Sequence, residues 1–276
     1  MNTQYNYNKY YYLQDVEGYF INNLSIDVIQ INLRSCIDII QESILSFCSN
    51  INIHSIYLRG SIARGIIYPQ YSDIDIIIIG LPNSQIDINS LRPFLNNVVN
   101  KKNLPFQKVD IYLQNRDEIF PSTAFSIKVS SICLYGTSLA ESLPKYKADN
   151  SVCFTIKSLE SNIDIAINDL GKIMSLPKEF QNKKGVSSIY NWIAKKLLRS
   201  GMELTIPIQK KYTRNLYCCY TLFAETFPEE ASKMKKILDF FINKETNCEI
   251  LIAAINKIEK FIICQIISKN NYNATI

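Results

Sequence analysis

Histidine is almost absent from this 276-residue chain, in which His54 stands alone. Zinc sites and histidine general bases therefore have little to draw on. In Ile53-His54-Ser55-Ile56-Tyr57-Leu58, strand alternation puts His54 on the face of Ile56 and Leu58, where a packed, hydrogen-bonded imidazole is expected rather than a catalyst. The eight cysteines, at positions 36, 48, 133, 153, 218, 219, 248 and 264, include no Cys-x-x-Cys pair. Several sit among apolar residues of expected helices, so reduced, buried thiols are expected over disulfides or a zinc site. Long hydrophobic runs are missing as well. Ile74 to Leu81 and Phe261 to Ile267 fall well short of the about 20 apolar residues that cross a bilayer. Met1 to Asn8 has neither the basic start nor the apolar stretch of a secretory signal. The expectation is a cytoplasmic protein with no membrane association.

What is present is ample core material, with 47 % hydrophobic residues, enough for one large domain or two modest ones. The net charge of +5 is uneven. Residues 1–150 carry 12 basic and 13 acidic groups, whereas 151–276 carry 18 and 12. That bias suits an anionic partner, nucleotide phosphates or RNA, better than a polycation; a solvated lysine-rich surface explains it equally well.

Three segments follow from the hydropathy pattern. Residues 1–22, rich in Tyr and Asn without an apolar period, are expected to form an arm. Over 23–149 the pattern is α/β. A helix begins near Ser25 and Asp27, its plausible caps, with Ile29, Leu33, Cys36, Ile37, Ile40, Ile44 and Phe47 at helical spacing. Strands are expected at about 53–59, 73–79 and 106–113, a helix near 88–100, and a short helical stretch at 124–133. Over 150–276 the period is helical, with one face made by Ile156, Leu159, Ile163, Ile167, Leu170 and Met174 and further helices at 187–204, 214–226, 230–242 and 247–268. Such amphipathic helices need each other for burial, which predicts a bundle.

The most informative segment is Leu58-Arg59-Gly60-Ser61-Ile62-Ala63-Arg64-Gly65, followed twelve residues after Ser61 by Asp73-Ile74-Asp75. Carboxylates one residue apart on a strand project to the same face, within reach of one divalent cation. The β-branched run Ile74 to Ile79 makes the strand assignment firm, and charges at the start of so apolar a strand are costly unless paired or ligating metal. Asp110, opening the strand-like Val109-Asp110-Ile111-Tyr112-Leu113, is placed to complete a cluster. Gly60 and Ser61 leave a strand and enter a short helix, so backbone N–H groups and the Ser61 hydroxyl can face a phosphate. Arg64 either pairs with a phosphate or braces the fold through an acid.

Gly60, Ser61, Ala63, Arg64, Gly65, Ser72, Asp73, Asp75 and Asp110 together resemble the nucleotidyltransferase superfamily that includes DNA polymerase β and the aminoglycoside nucleotidyltransferases. The direct match covers residues 51–113. The stretch Tyr212 to Tyr220, ending near Phe227-Pro228-Glu229, is similar to the helical half of bacterial members of that superfamily. The resemblance implies a nucleotidyltransferase fold with a small mixed sheet over 23–149, followed by an all-α domain over 150–276. It implies Asp73, Asp75 and Asp110 as ligands of two Mg²⁺ ions, with Asp110 binding the ion nearer the acceptor or helping to deprotonate it. Gly60 and Ser61 would hold the triphosphate of a nucleoside triphosphate donor, ATP being the expected one.

On the helix over 187–204, Trp192, Lys195, Lys196 and Arg199 lie close together, and Lys195 and Arg199 are one turn apart. They either reach the β- and γ-phosphates across an interdomain cleft or form a solvent-facing stripe. Lys210, Lys211, Tyr212 and Arg214 make a second basic and aromatic cluster; Tyr217 and Tyr220, at helical spacing with Leu216 and Phe223, are expected in the core. The reaction expected is transfer of a nucleoside monophosphate to a hydroxyl of RNA, a protein or a small molecule such as an aminoglycoside. The alternative is an antitoxin-like or regulatory module of the same fold that binds a protein partner with little or no catalysis.

Overall fold

The unbroken β-branched run after Asp73 becomes the strand around which the first half of the chain is built. A computed structural model describes residues 10–49, 51–67, 72–82 and 84–273, with side chains through 268. The chain divides into two units, Leu13–Tyr146 and a helical unit in which Tyr10, Tyr11 and Tyr12 join the chain from Lys147 onward.

In the first unit a four-stranded mixed sheet comprises β1 (Ile53–Arg59), β2 (Ile74–Gly80), β3 (Val109–Asn115) and β4 (Ser131–Gly136), in the order β3-β2-β1-β4. β2 and β3 are parallel, and β1 is antiparallel to both β2 and β4. Ile74, Ile76, Ile77, Ile78 and Ile79 are all buried, so β2 is covered on both faces, which is why its sequence runs apolar without alternation. On one face Ile56, Leu58, Ile74, Ile76, Ile78, Val109 and Ile111 pack with α1 (Ile31–Phe47) and α3 (Ile88–Lys101). On the other, Tyr57, Ile77 and Ile79 pack with Ile127 of α4 (Pro121–Ser130) and with Leu139, whose N–H donates to the Tyr57 hydroxyl at 2.7 Å.

The α/β expectation holds, with local corrections. Ser25 caps a separate 3₁₀ turn, Ile26–Val28, by accepting from the Asp27 N–H at 3.1 Å, and α1 starts only at Ile31. The stretch 124–133 is not one helix: α4 ends at Ser130 and Ser131 opens β4, an additional strand. The expected strand at 106–113 runs from Val109 to Asn115. Residues 10–22 are packed rather than a free arm, since Gln14 bridges Phe20 and Phe20 is buried against Phe125, while Tyr11 bridges Thr213 within the helical unit. The part of the expected arm over 1–9 lies outside the described residues. His54 is half-buried with Nδ1 2.9 Å from Ser55 Oγ, the packed role expected of it.

The helical unit contains α5 (Leu159–Met174), α6 (Lys183–Gln209), α7 (Leu216–Thr226), α8 (Ala231–Asn243) and α9 (Cys248–Asn273). The helix expected over 187–204 is longer at both ends. Asn182 caps it through the Gly185 N–H at 3.1 Å, and Pro207 is tolerated near its C-terminus. Proline cannot donate to the carbonyl of Glu203, and the Cys153 thiol donates there instead at 3.4 Å. The Glu203 carboxylate, buried, accepts from the N–H groups of Thr155 and Ile156 at 2.9 and 2.8 Å. It thereby anchors the chain entering α5. Burial raises the Glu203 pKa, and these backbone bonds only partly offset that. The expected Tyr217 and Tyr220 core positions are corrected: α7 buries Cys218, Cys219, Leu222 and Phe223, which leaves Tyr217 exposed and Tyr220 half-buried.

All eight cysteines are free thiols, and Cys48, Cys153, Cys218, Cys219 and Cys248 are buried. No helix among the described residues is long and apolar enough to cross a membrane.

Replacing Glu203 by Gln should remove one charge-assisted bond and turn an amide N–H toward a backbone N–H. The expected loss is about 1–3 kcal/mol in urea unfolding; an unchanged midpoint would show that the carboxylate does not anchor α5.

Candidate functional site

A polar row crosses one end of the sheet. The register aligns Ser131 of β4, Arg59 of β1, Asp75 of β2 and Asp110 of β3, and residues paired across strands share a face. Asp73 stands one residue before β2, two positions from Asp75. Two bonds fix its place beside β3: Gln107 N–H donates to Ser72 O at 2.9 Å, and Ile74 N–H donates to Lys108 O at 3.0 Å. Asp73, Asp75 and Asp110 are each half-buried. At the start of β3, the Val109 N–H donates to the side-chain oxygen of Asn96 on α3 at 2.9 Å.

Lys108 stands among these acids. Its ammonium donates to both oxygens of Asp110, at 2.8 and 2.9 Å, and lies 3.7 Å from Asp73 Oδ2. Burial opposes charge on Lys108, but the Asp110 and Asp73 carboxylates outweigh it and hold its pKa above the usual lysine value. Among the described residues, no three His, Cys, Asp or Glu side chains converge closely enough to hold a metal ion as they stand. The physical reason is repulsion: carboxylates on one face separate, or admit a cation, and here the cation is the ammonium. The donor set nonetheless fits a hard divalent ion such as Mg²⁺, because all its atoms are carboxylate oxygens and Asp73 and Asp110 already converge on one positive charge.

Gly60 opens a single helical turn, α2 (Gly60–Ala63), directly after β1. Its φ of +82° suits glycine, and a Cβ there would overlap Asp75 Oδ2. Gly60 therefore makes room for the acid. Ser61 is exposed, and Arg64 is half-buried just past the turn, its N–H donating to Ser61 O at 3.0 Å. Arg59 places its guanidinium carbon 4.6 Å from the centroid of the Tyr112 ring, a cation–π contact on the face that carries Asp75 and Asp110.

Lys195 and Arg199 belong to α6 in the helical unit and differ in surroundings. Lys195 is exposed, with its ammonium 5.9 Å from the Phe241 ring centroid. Arg199 keeps only a small exposed edge, and its Nε is buried without a hydrogen-bond partner. Burial, then the neighbouring Arg214, push its pKa down to about 10. The same two causes, with Arg199 in turn acting beside Arg214, lower Lys196.

Lys108, Arg59 and Tyr112 escaped the sequence reading. The Lys108-Val109-Asp110 alternation carried the signal for the first, since period two places the ammonium beside the carboxylate. Comparison with protein-family models finds no match, and neither does comparison with curated proteins. The functional reading therefore rests on the residues.

Two outcomes test this geometry. Gly60→Ala should cost about 1–3 kcal/mol in urea unfolding, from a side chain at positive φ and displacement of Asp75; a neutral result would show that the turn relaxes freely. Arg199→Met should raise stability in anion-free buffer by about 1 kcal/mol or more, because it removes a charge that burial and Arg214 disfavour and whose Nε lacks a hydrogen-bond partner. The sign follows from the depressed pKa: the charge costs stability below about pH 10, and the cost is relieved as pH rises from there toward the unfolded-state value. A large loss of stability at neutral pH would refute that account.

Proposed function

We propose that this protein is a metal-dependent nucleotidyltransferase that moves a nucleoside monophosphate, AMP from ATP, onto a hydroxyl acceptor. The observation that carries the reading is the row that sets Asp75 beside Asp110, with Asp73 two residues away and an ammonium already drawn between Asp73 and Asp110. Such a row is costly to fold for packing alone, because like charges on one face repel and its members are half-buried. It is the arrangement that binding of a divalent cation would stabilise.

In the reaction, the acceptor oxygen forms a bond to the α-phosphorus. The bond from that phosphorus to the α,β-bridging oxygen breaks, and pyrophosphate leaves with the electron pair. The acceptor proton passes to a carboxylate, for which Asp110 is the candidate, or to water. A bound Mg²⁺ would neutralise negative charge gathering on the phosphoryl oxygens. Asp73 and Asp75 are its proposed ligands. Gly60 and Ser61 are the proposed contacts for the triphosphate, and Arg64 stands just beyond them. In the helical unit, taken by itself, the half-buried Arg199, whose buried Nε lacks a hydrogen-bond partner, and Lys195 on the same helix are the proposed nucleotide-binding residues of α6. The acceptor is proposed only as a hydroxyl of RNA, protein or a small molecule such as an aminoglycoside.

The test is transfer of label from α-labelled ATP, GTP, CTP and UTP with Mg²⁺, offering total RNA, a protein extract and an aminoglycoside panel separately. Label should enter one pool from ATP. Asp73→Asn should cut transfer on the order of 100-fold or more, as expected when about 3 kcal/mol of transition-state stabilisation is lost, while circular dichroism shows a folded chain. No transfer to any pool, or equal transfer by the variant, would overturn the reading.

A further inference from the structure

One apolar row of the sheet ends in the open. On the face that carries Asp75 and Asp110, the register continues Tyr57 of β1 and Ile77 of β2 into Tyr112 of β3. Tyr57 and Ile77 are buried with Ile127 and Leu139, whereas Tyr112, on the edge strand, is 43 % exposed. Arg59 holds that ring from one side. This arginine starts on β1, with β2 between it and Tyr112, and its guanidinium carbon reaches 4.6 Å from the ring centroid. Its side chain therefore crosses β2 from the acid row to the row behind it. Two residues beyond Tyr112 on the same face, the Gln114 side chain accepts from the Phe120 N–H at 2.9 Å, which brings an exposed phenylalanine to the same edge.

The position fits one class of chemical group. Asp110 and Tyr112 stand two residues apart on one face, about 6.6 Å along a parallel strand. A ribose hydroxyl lies a comparable distance from the centre of its own base, so a base laid on Tyr112 sets its sugar over the acids. A guanidinium on one side of the ring draws π-electron density toward itself, and the outer side then suits a neutral, polarisable ring rather than a second cation. Arg59 also repels a polycationic ligand, which sets this edge against an aminoglycoside.

We propose that Tyr112, held from behind by Arg59, is the stacking surface for a nucleobase, either that of the donor nucleotide or that of the nucleotide bearing the acceptor hydroxyl. The role rests on the nucleotidyl-transfer reading above and adds to it what the site recognises. Stacking engages a π-face and no hydrogen-bond pattern, so Tyr112 selects for a base as such. Arg59 is a positioning residue that fixes the ring.

Calorimetry on the full-length chain in Mg²⁺ buffer tests this with two comparisons. One sets a non-hydrolysable ATP analogue against inorganic tripolyphosphate, and the other a short oligoribonucleotide against the same chain lacking its 3′-terminal base. In wild type the base should tighten binding about 10-fold in at least one comparison, and the one that responds identifies donor or acceptor as its source. Tyr112→Ala should bring that ratio to within about 2-fold of unity, and Tyr112→Phe should restore it. No effect of the base in either wild-type comparison, or a ratio unchanged in Tyr112→Ala, would overturn the stacking role. Tripolyphosphate binding that requires Mg²⁺ would then leave the nucleotidyl-transfer reading standing, whereas no binding of any of these ligands would sink both. An aminoglycoside that binds through Tyr112 while the bases do not would equally refute the role. Circular dichroism accompanies each variant; should Tyr112→Ala not fold, Tyr112→Leu, which keeps apolar bulk without a π-face, takes its place.

Discussion

Mutual repulsion of carboxylates on one face of the sheet is the constraint around which the first unit is arranged. Neighbouring strands lie about 4.8 Å apart, and at about that separation two like charges repel by about 3 kcal/mol in an effective dielectric of about 20. The chain does not escape this by letting the acids swing into water, because Asp73, Asp75 and Asp110 are only half-exposed. It brings in positive charge instead. Lys108 lies against Asp110, and Arg59 takes the register position beside Asp75. The isoleucines of β2, buried on both faces, make the spacing hard to relax, since moving Asp75 would shift a strand on which both cores depend.

The same constraint explains what was legible in the sequence. β2 and α3 were readable because each obeys one strong rule, a β-branched run for the strand and a 3.6-residue apolar stripe for the helix, whose cap, Asp87, is seen only in the structure. β4 was not. Ser131-Ile132-Cys133-Leu134-Tyr135-Gly136 follows α4 with neither glycine nor proline between them, and both segments bury residues on more than one side, so no change of period marks the join. The start of α6 was obscured by Lys183, Lys184 and Gly185, and its end by Pro207, whose missing donor is compensated at the Glu203 carbonyl by a thiol 50 residues before Glu203. That compensation is tertiary, and no local rule reveals it.

At the site, the acids were legible as a set and their partners were not. Period-two spacing put Asp73 and Asp75 on one face, and the parallel register then aligned Asp75 with Asp110. The sequence alone does not carry the strand order, and it is the strand order that brings Lys108 toward Asp73, a residue of another segment. Arg199 illustrates the converse. Its basic neighbours on α6 were visible as a charge cluster, but the depth of the side chain depends on how α6 packs, and burial is what turns an ordinary surface arginine into an energetically incomplete one.

The acids also differ in how firmly they are held, and the difference follows from the order of strands. Asp75 is on a central strand, closely packed against Gly60, where even a methyl group would displace it. Asp110 and Lys108 belong to the start of β3, the sheet's edge, where Asn96 supplies one hydrogen bond that a further strand would have supplied. Lys108 is nearly half-exposed, and its long stem lets the ammonium follow the carboxylate without disturbing the backbone ladder. Under the reading proposed above, the rigid part of the row would fix where a cation is bound, while the adjustable part would set how much negative charge that position presents. An edge strand is suited to the second task because its side chains can move at the cost of few buried contacts, and the central strand to the first because it cannot shift without breaking two cores.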